Sequence, residues 1–199
     1  MDRDDWDRRY EGTELLWTAT PNRFLVQEVE GLVPGRALDL ACGEGRNAVW
    51  LAEQGWQVTG ADFSPVALGK AARLAEARGV AVEWVEADAT AWEPPVAAFD
   101  LVCVLYLQLP ADERRLALAN AARAVAPGGT LLVVGHDLAN LEQGVGGPSS
   151  PAVLITADAV AGELAGLVVE RAGTVLRPVE VEGGTRDAID TLVRARRAA

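Results

Sequence analysis

The 199 residues carry a formal net charge of -11 and half of them are hydrophobic, the profile of one ordinary globular domain with a real core. That acidity argues against a partner held through nucleic-acid phosphates, which needs clustered Lys and Arg; Arg194, Arg196 and Arg197 form only a small group and read as a solvated strand end. The longest apolar run, Leu101 to Leu107, falls far short of the ~20 residues that span a bilayer.

Residues 1–35 form an aromatic-rich, mostly helical lead-in that opens Met-Asp-Arg-Asp-Asp without a visible secretion signal, so a cytoplasmic protein is expected. Strand and helix signals then alternate. Ala37–Ala41 reads as the first strand and Arg46–Gln54 as a helix closed by Gly55. Gln57–Ala61 is the second strand, and Ser64-Pro65 supplies a cap and first helical position for a helix to Arg78. Val80–Val85 is the third strand. Phe99–Tyr106 is almost continuously apolar, as expected of a central strand covered on both faces.

A long helix follows Pro110 and stops at Pro127-Gly128-Gly129, before a fifth strand at Thr130–Gly135. Residues 139–150 are a Gly/Pro/Ser loop, longer than the ~4–6 residues usual between elements. A helix from Thr156 to Leu164 and two strands, Leu167–Val175 and Ala188–Arg194, complete the chain. The last two strands have no helix between them, which suits an antiparallel hairpin closing a mostly parallel sheet. The expectation is a single doubly wound, Rossmann-like α/β domain of seven strands over residues 1–199, with residues 1–35 as lead-in or lid.

In such a sheet ligands bind at the carboxyl ends of the strands. Four informative sequences fall there: Cys42-Gly-Glu-Gly45, Ala61-Asp62, Ala87-Asp88 and Leu105-Tyr106. Gly43 and Gly45 allow a sharp turn and close approach of a ligand. Asp62 is placed for the two hydroxyls of a ribose, and Asp88 for an adenine amino group, with Ala89 as a backbone donor. Each residue alone also has a structural reading, as a tight turn or a helix cap; their order along successive strand ends favours an adenosine-containing cofactor.

Two such cofactors compete, because Gly43-Glu-Gly45-Arg-Asn-Ala48 also fits the dinucleotide fingerprint. Glu44 would put negative charge where a pyrophosphate rests. Asp39 stands inside a strand that dinucleotide binders keep apolar, whereas a ligand ammonium gains from a carboxylate. The chain also lacks room for a dehydrogenase substrate domain. These points favour S-adenosylmethionine over NAD, with an NAD-linked oxidoreductase and a non-catalytic cofactor-binding or regulatory protein as the alternatives.

Asp39-Leu-Ala-Cys-Gly-Glu-Gly45, Asp62 and Ala87-Asp88 together resemble the motifs of class I S-adenosylmethionine-dependent methyltransferases, a resemblance that covers nearly the whole chain. Trp6-Asp-Arg-Arg-Tyr10, Leu16-Trp17, Pro21-Asn22 and Gly45–Ala52 are most similar to small bacterial tellurite-resistance and thiopurine methyltransferase-type enzymes. The resemblance implies a cofactor site of Asp39, Ala41, Cys42, Gly43, Gly45, Asn47, Asp62, Phe63, Asp88, Ala89 and Leu105, with Tyr10 and Trp17 folding over it. The product would be S-adenosylhomocysteine.

Methyl transfer from a sulfonium is a direct displacement and needs neither a metal nor a covalent enzyme intermediate. No Cys/His cluster has metal-ligand spacing, and Cys42 and Cys103 read as buried reduced thiols. A base matters only if the acceptor must lose a proton. His136, the chain's one histidine, is the candidate, with Tyr106 and Asp137 beside it on the same rim. Leu105-Tyr-Leu-Gln-Leu-Pro110 replaces the Asn/Asp-Pro-Pro-aromatic signature of nucleobase amine methylation, so a small-molecule acceptor is expected, between the lead-in, Tyr106, His136 and the 139–150 loop. The oligomeric state is not legible.

Overall fold

The computed structural model describes residues 3–12, 14–16 and 18–199. Two lead-in helices, α1 (Arg3–Tyr10) and α2 (Arg23–Val29), precede β1 (Arg36–Leu40), α3 (Arg46–Glu53), β2 (Gln57–Asp62), α4 (Pro65–Arg78) and β3 (Glu83–Glu86). The second half holds β4 (Phe99–Leu105), α5 (Ala111–Ala124), β5 (Val125–His136), α6 (Asn140–Gln143), a 3₁₀ turn (Pro151–Val153), α7 (Ala157–Glu163), β6 (Val168–Val181) and β7 (Gly184–Arg196). The strands pair in the order β3-β2-β1-β4-β5-β7-β6, parallel throughout except at β7, which runs antiparallel to β5 and β6. The expected seven-stranded, mostly parallel sheet with a C-terminal hairpin is what forms.

Successive residues of a strand face opposite sides, and here both sides are covered. Leu38, Leu40, Val102, Val104, Leu131 and Val133 pack under α5 and α7, while Ala37, Leu101, Cys103, Leu132 and Val134 pack under α2 and α3. This two-sided burial explains why β4 and β5 read as unbroken apolar runs. The chain runs outward through β1, β2 and β3, then returns to start β4 on the other side of β1. The strand order therefore reverses between β1 and β4, and the cleft opens above their carboxyl ends.

Cap chemistry sets the helix starts. Asn22 accepts from the N–H groups of Phe24 and Leu25, Ser64 from Ala67, and Thr156 from Ala159. α4 ends at Gly79, whose φ of 68° closes the helix in the left-handed region. Cys42 and Cys103 are both free and buried.

Four elements depart from expectation. The 139–150 loop carries one helical turn, α6, which starts after Asp137 accepts from the Ala139 N–H. β3 is shorter, beginning at Glu83 where its ladder to β2 starts. β5 begins directly after α5, because Val125 already pairs with Phe99 before the register shifts at the Pro-Gly-Gly segment to Leu101–Thr130. The final hairpin is longer than expected. Its strands continue to a turn at Glu182-Gly183, and residues 176–181 and 184–189 pair with each other beyond the end of β5.

Candidate active site

Above β1 the backbone turns through three left-handed residues, Ala41 (φ 61°), Gly43 (φ 54°) and Gly45 (φ 80°). Ala41 adopts this conformation with a side chain, a strained position of the kind found at ligand sites. At Gly45 a Cβ would stand 2.7 Å from both Ala71 on α4 and Trp84 on β3, so glycine lets α3 start directly against its neighbours. Gly60 makes room for the same Trp84 ring, at 2.4 Å. At Gly43 a Cβ would come 3.2 Å from the Tyr10 hydroxyl, so α1's last residue lies against the glycine turn. Trp17 lies outside the described residues.

Asp39 is 1% exposed, and its Oδ2 has no hydrogen-bond partner among the described residues. Burial pushes its carboxyl up to about 7 against the pull of the Arg46 guanidinium. An unpaired, buried carboxylate beneath the glycine turn suits a ligand ammonium. Asp62 is engaged on both oxygens: Oδ2 accepts from Gly43 N–H at 2.8 Å and Oδ1 from Ser64 N–H at 2.9 Å. Burial raises its carboxyl, and these two N–H groups oppose the rise. These two bonds make the acid an anchor of the glycine turn and of the start of α4.

Asp88 is exposed at the end of β3, where its Oδ1 accepts from the backbone and hydroxyl of Thr90. Ala89 is buried behind it, its carbonyl accepting from Asn120. Leu105 is buried at the β4 end. Phe63 is half-buried, and its carbonyl accepts from Arg3 of α1 at 2.6 Å. Asn47 is brought to the site but spends its side-chain oxygen on the backbone N–H of Asn22, anchoring the lead-in. Cys42 is buried with its thiol toward the Gly43 carbonyl, and burial pushes that thiol up.

Glu44 is reassigned by its surroundings. Its carboxylate meets Lys70 Nζ at 2.9 Å and accepts from Leu16 N–H at 3.0 Å, while Lys70 also donates to the Glu14 carbonyl. The charge that was expected to repel a pyrophosphate is neutralised by Lys70, so that part of the case against NAD does not stand. What Glu44 does instead is tie residues 14–16 down over the turn. Trp92 packs against the core beneath β3 and β4 and lines a cavity of about 560 Å³ with Arg36, Gln57 and Phe99. Those three mark strand starts, the end of the sheet away from the cleft.

At the other end of the cleft an unexpected acid organises the rim. Asp190 of β7 is completely buried. Its Oδ2 accepts from the Tyr106 hydroxyl and from Arg177 Nε, both at 2.7 Å, and Arg177 Nε also lies 3.1 Å from the Tyr106 oxygen. His136 Nδ1 lies 3.2 Å from Asp190 Oδ1, and the Tyr106 and His136 rings are 4.9 Å apart. Burial raises the Asp190 carboxyl, but His136, Arg177 and Tyr106 outweigh it and hold the group below its ordinary value. Tyr106 is pushed up by burial and by Asp190. Asp137 turns away from the rim: its oxygens accept from Thr191 Oγ1 and Ala139 N–H.

Three members of this arrangement were missed in the sequence, and two had signals. Lys70 is the chain's single lysine against seventeen arginines. Asp190 interrupts the apolar Ala188–Val193 strand as Asp39 interrupts β1. Arg177 had none, because it lies beyond the expected strand end at Val175, on the extra length of β6.

Comparison with known proteins bears on this geometry. Residues 37–129 match the family described as "Methyltransferase domain". A demethylmenaquinone methyltransferase of Thermus thermophilus is 41% identical over 125 residues, 62% of this chain and 55% of that protein; the chain spans about half the length of the curated relatives it matches. A protein solved in work on conversion of a disulfide bond into a thioacetal group during echinomycin biosynthesis shares 28% identity, with a TM-score of 0.78 over 98% of this chain and 92% of that one. The N-methyltransferase NodS of Bradyrhizobium japonicum, solved with S-adenosyl-L-homocysteine, aligns with a TM-score of 0.75 over 99% of this chain and 98% of its own, at 19% identity. These findings support the class and do not single out the tellurite-resistance and thiopurine subgroup within it.

Proposed function

We propose that this protein is a class I S-adenosylmethionine-dependent methyltransferase that transfers a methyl group to a small-molecule acceptor; residues 37–129 match the methyltransferase-domain family, and the fold aligns over nearly the whole chain with that of an N-methyltransferase. The observation that carries the reading is Asp39: a buried carboxylate with an unpaired oxygen, set beneath a left-handed glycine turn at the point where strand order reverses. Asp39 would receive the ammonium of the methionine portion, Asp62 the ribose hydroxyls, and Asp88 with Ala89 the adenine. Tyr10 covers the glycine turn from the lead-in, and the Lys70–Glu44 pair holds residues 14–16 in place.

Bound there, the cofactor supplies a sulfonium-activated methyl group open to direct displacement. The chain's own part is alignment and exclusion of water, an effect of up to ~7–11 kcal/mol in well-oriented reactions. His136 is the residue that would take a proton from an acceptor that must lose one, with Tyr106 packed beside it. The acceptor space lies between the lead-in, Tyr106, His136 and the 139–150 loop, whose Gly147 packs on the His136 ring. The small-molecule substrate in the name of the Thermus relative supports an acceptor of that class, as does the acidic composition, which disfavours nucleic acid. Among the described residues no helix is long and apolar enough to cross a membrane. The two free, buried thiols support the reading of a cytoplasmic enzyme, with residues 1–199 read as one methyltransferase domain.

Titration calorimetry with S-adenosylhomocysteine and NAD tests this directly. Micromolar binding of the first and none of the second is expected; the reverse result overturns the proposal. Release of S-adenosylhomocysteine from S-adenosylmethionine across a panel of small thiols, phenols and amines then separates an enzyme from a protein that only binds the cofactor.

A further inference from the structure

We propose that Asp190 is a positioning residue: it fixes the proton of the neutral His136 ring on Nδ1, so that Nε2 presents its lone pair to the acceptor. The inference rests on the methyltransferase reading for its purpose, while its geometry stands independently. Two buried atoms face one another here, His136 Nδ1 and Asp190 Oδ1, 3.2 Å apart, and neither has another hydrogen-bond partner among the described residues. The ring is canted off the best hydrogen-bond line, but a carboxylate oxygen can only accept, so the nitrogen facing it is the one that carries hydrogen.

The opposite carboxylate oxygen is what makes the arrangement directional. Oδ2 is held by two donors, the Tyr106 hydroxyl and Arg177 Nε. Those bonds clamp the carboxylate plane and leave Oδ1 aimed at the imidazole. Gly147 of the 139–150 loop packs on the ring's Nδ1 side, where a Cβ would stand 2.9 Å from that nitrogen, so only glycine admits the loop there. The imidazole keeps 13% of its surface exposed. With Nδ1 enclosed, Nε2 is the nitrogen left for the cleft, and a proton lost by the acceptor's attacking atom goes to it.

Asp190→Asn makes the inference sharp. Two donors sit on the Oδ2 side and one ring nitrogen on the other, so the amide oxygen should turn to Tyr106 and Arg177. The amide N–H₂ then faces His136 Nδ1, which must become the acceptor, and the ring proton moves to Nε2. Nitrogen-15 correlation spectra at alkaline pH read the tautomer without assignment, because an untagged chain contains one histidine. The wild type should show the Nδ1–H form, with that proton slow to exchange with water, and D190N should shift the tautomer ratio at least ~10-fold toward Nε2–H. An Nε2–H tautomer in the wild type, or an unchanged ratio in folded D190N, overturns the proposal. Should D190N fail to fold, the wild-type tautomer and its exchange rate still decide. Neither measurement uses cofactor or acceptor, so absence of S-adenosylhomocysteine binding in calorimetry would count against the functional reading alone.

Discussion

Lys70 and Glu44 form an ion pair at 2.9 Å with side chains only 5% and 4% exposed, and both reach the lead-in backbone, at Glu14 and Leu16. One buried pair thus joins α4, the glycine turn and the segment above it. Removing one partner of such a pair leaves a charge in a poor solvent, whereas removing both can be nearly neutral. Lys70→Met should therefore destabilise by about 3–5 kcal/mol, and Lys70→Met with Glu44→Gln by clearly less. Urea unfolding of the two variants measures this; a loss under about 1 kcal/mol for the single change would show that Glu44 finds other compensation.

That pair also shows where sequence reading reached and where it stopped. The strand order's consequence, a cleft over β1 and β4, was legible because two-sided burial leaves unbroken apolar runs and because Gly43, Gly45, Ser64 and Gly79 punctuate the helices. Asp39 was legible because an acid in a buried strand needs a reason. Glu44 was misread because its partner is twenty-six residues away on another helix, and spacing does not reveal tertiary neutralisation. The long β6–β7 arm was hidden by Pro178 and by Arg177, Glu180 and Arg186, which suit an edge hairpin as well as a loop. Arg177 and the clamp on Asp190 went with it.

Asp39 should make cofactor binding release a proton. Burial raises its folded value to about 7, above the ~3.9 of an unfolded chain. Between those values the native state holds a proton that the unfolded state has lost, so stability falls as pH rises from about 4 to 7 and is level above that. An ammonium placed beside the carboxylate favours its ionised form. Binding of S-adenosylhomocysteine at pH 6 should release up to about one proton, read from calorimetry in buffers of differing ionisation enthalpy. Asp39→Asn should abolish the release and flatten the fall in stability; proton release undiminished in that variant would separate Asp39 from the ammonium.

The glycines of the turn should differ in tolerance. At Gly45 an alanine meets a φ of 80° and two atoms at 2.7 Å on Ala71 and Trp84, whereas at Gly43 the φ is 54° and the near atom is the Tyr10 hydroxyl at 3.2 Å. Adding left-handed strain to overpacking, Gly45→Ala should cost about 2–5 kcal/mol. Gly43→Ala meets less obstruction and can push Tyr10 aside. Its signature should be weaker S-adenosylhomocysteine binding with a smaller fall in melting temperature. Equal melting temperatures for the two variants would contradict this account of the turn.

Asp62 does two jobs, and two substitutions separate them. Its carboxylate holds the N–H groups of Gly43 and Ser64 at 2.8 and 2.9 Å, and by the proposed function it also accepts from the ribose. Asp62→Ala removes both roles and should weaken S-adenosylhomocysteine binding by about 1–3 kcal/mol, with some loss of stability from the orphaned N–H groups. Asp62→Asn keeps an oxygen for one of those N–H groups but turns an N–H₂ toward the other and gives up the anion. If the ribose contact matters, Asn should bind nearly as poorly as Ala while keeping more of the fold's stability than Ala does. Calorimetry paired with thermal unfolding reads both quantities. Binding that falls only in proportion to stability would leave Asp62 as a loop anchor and move the ribose contact elsewhere in the cleft.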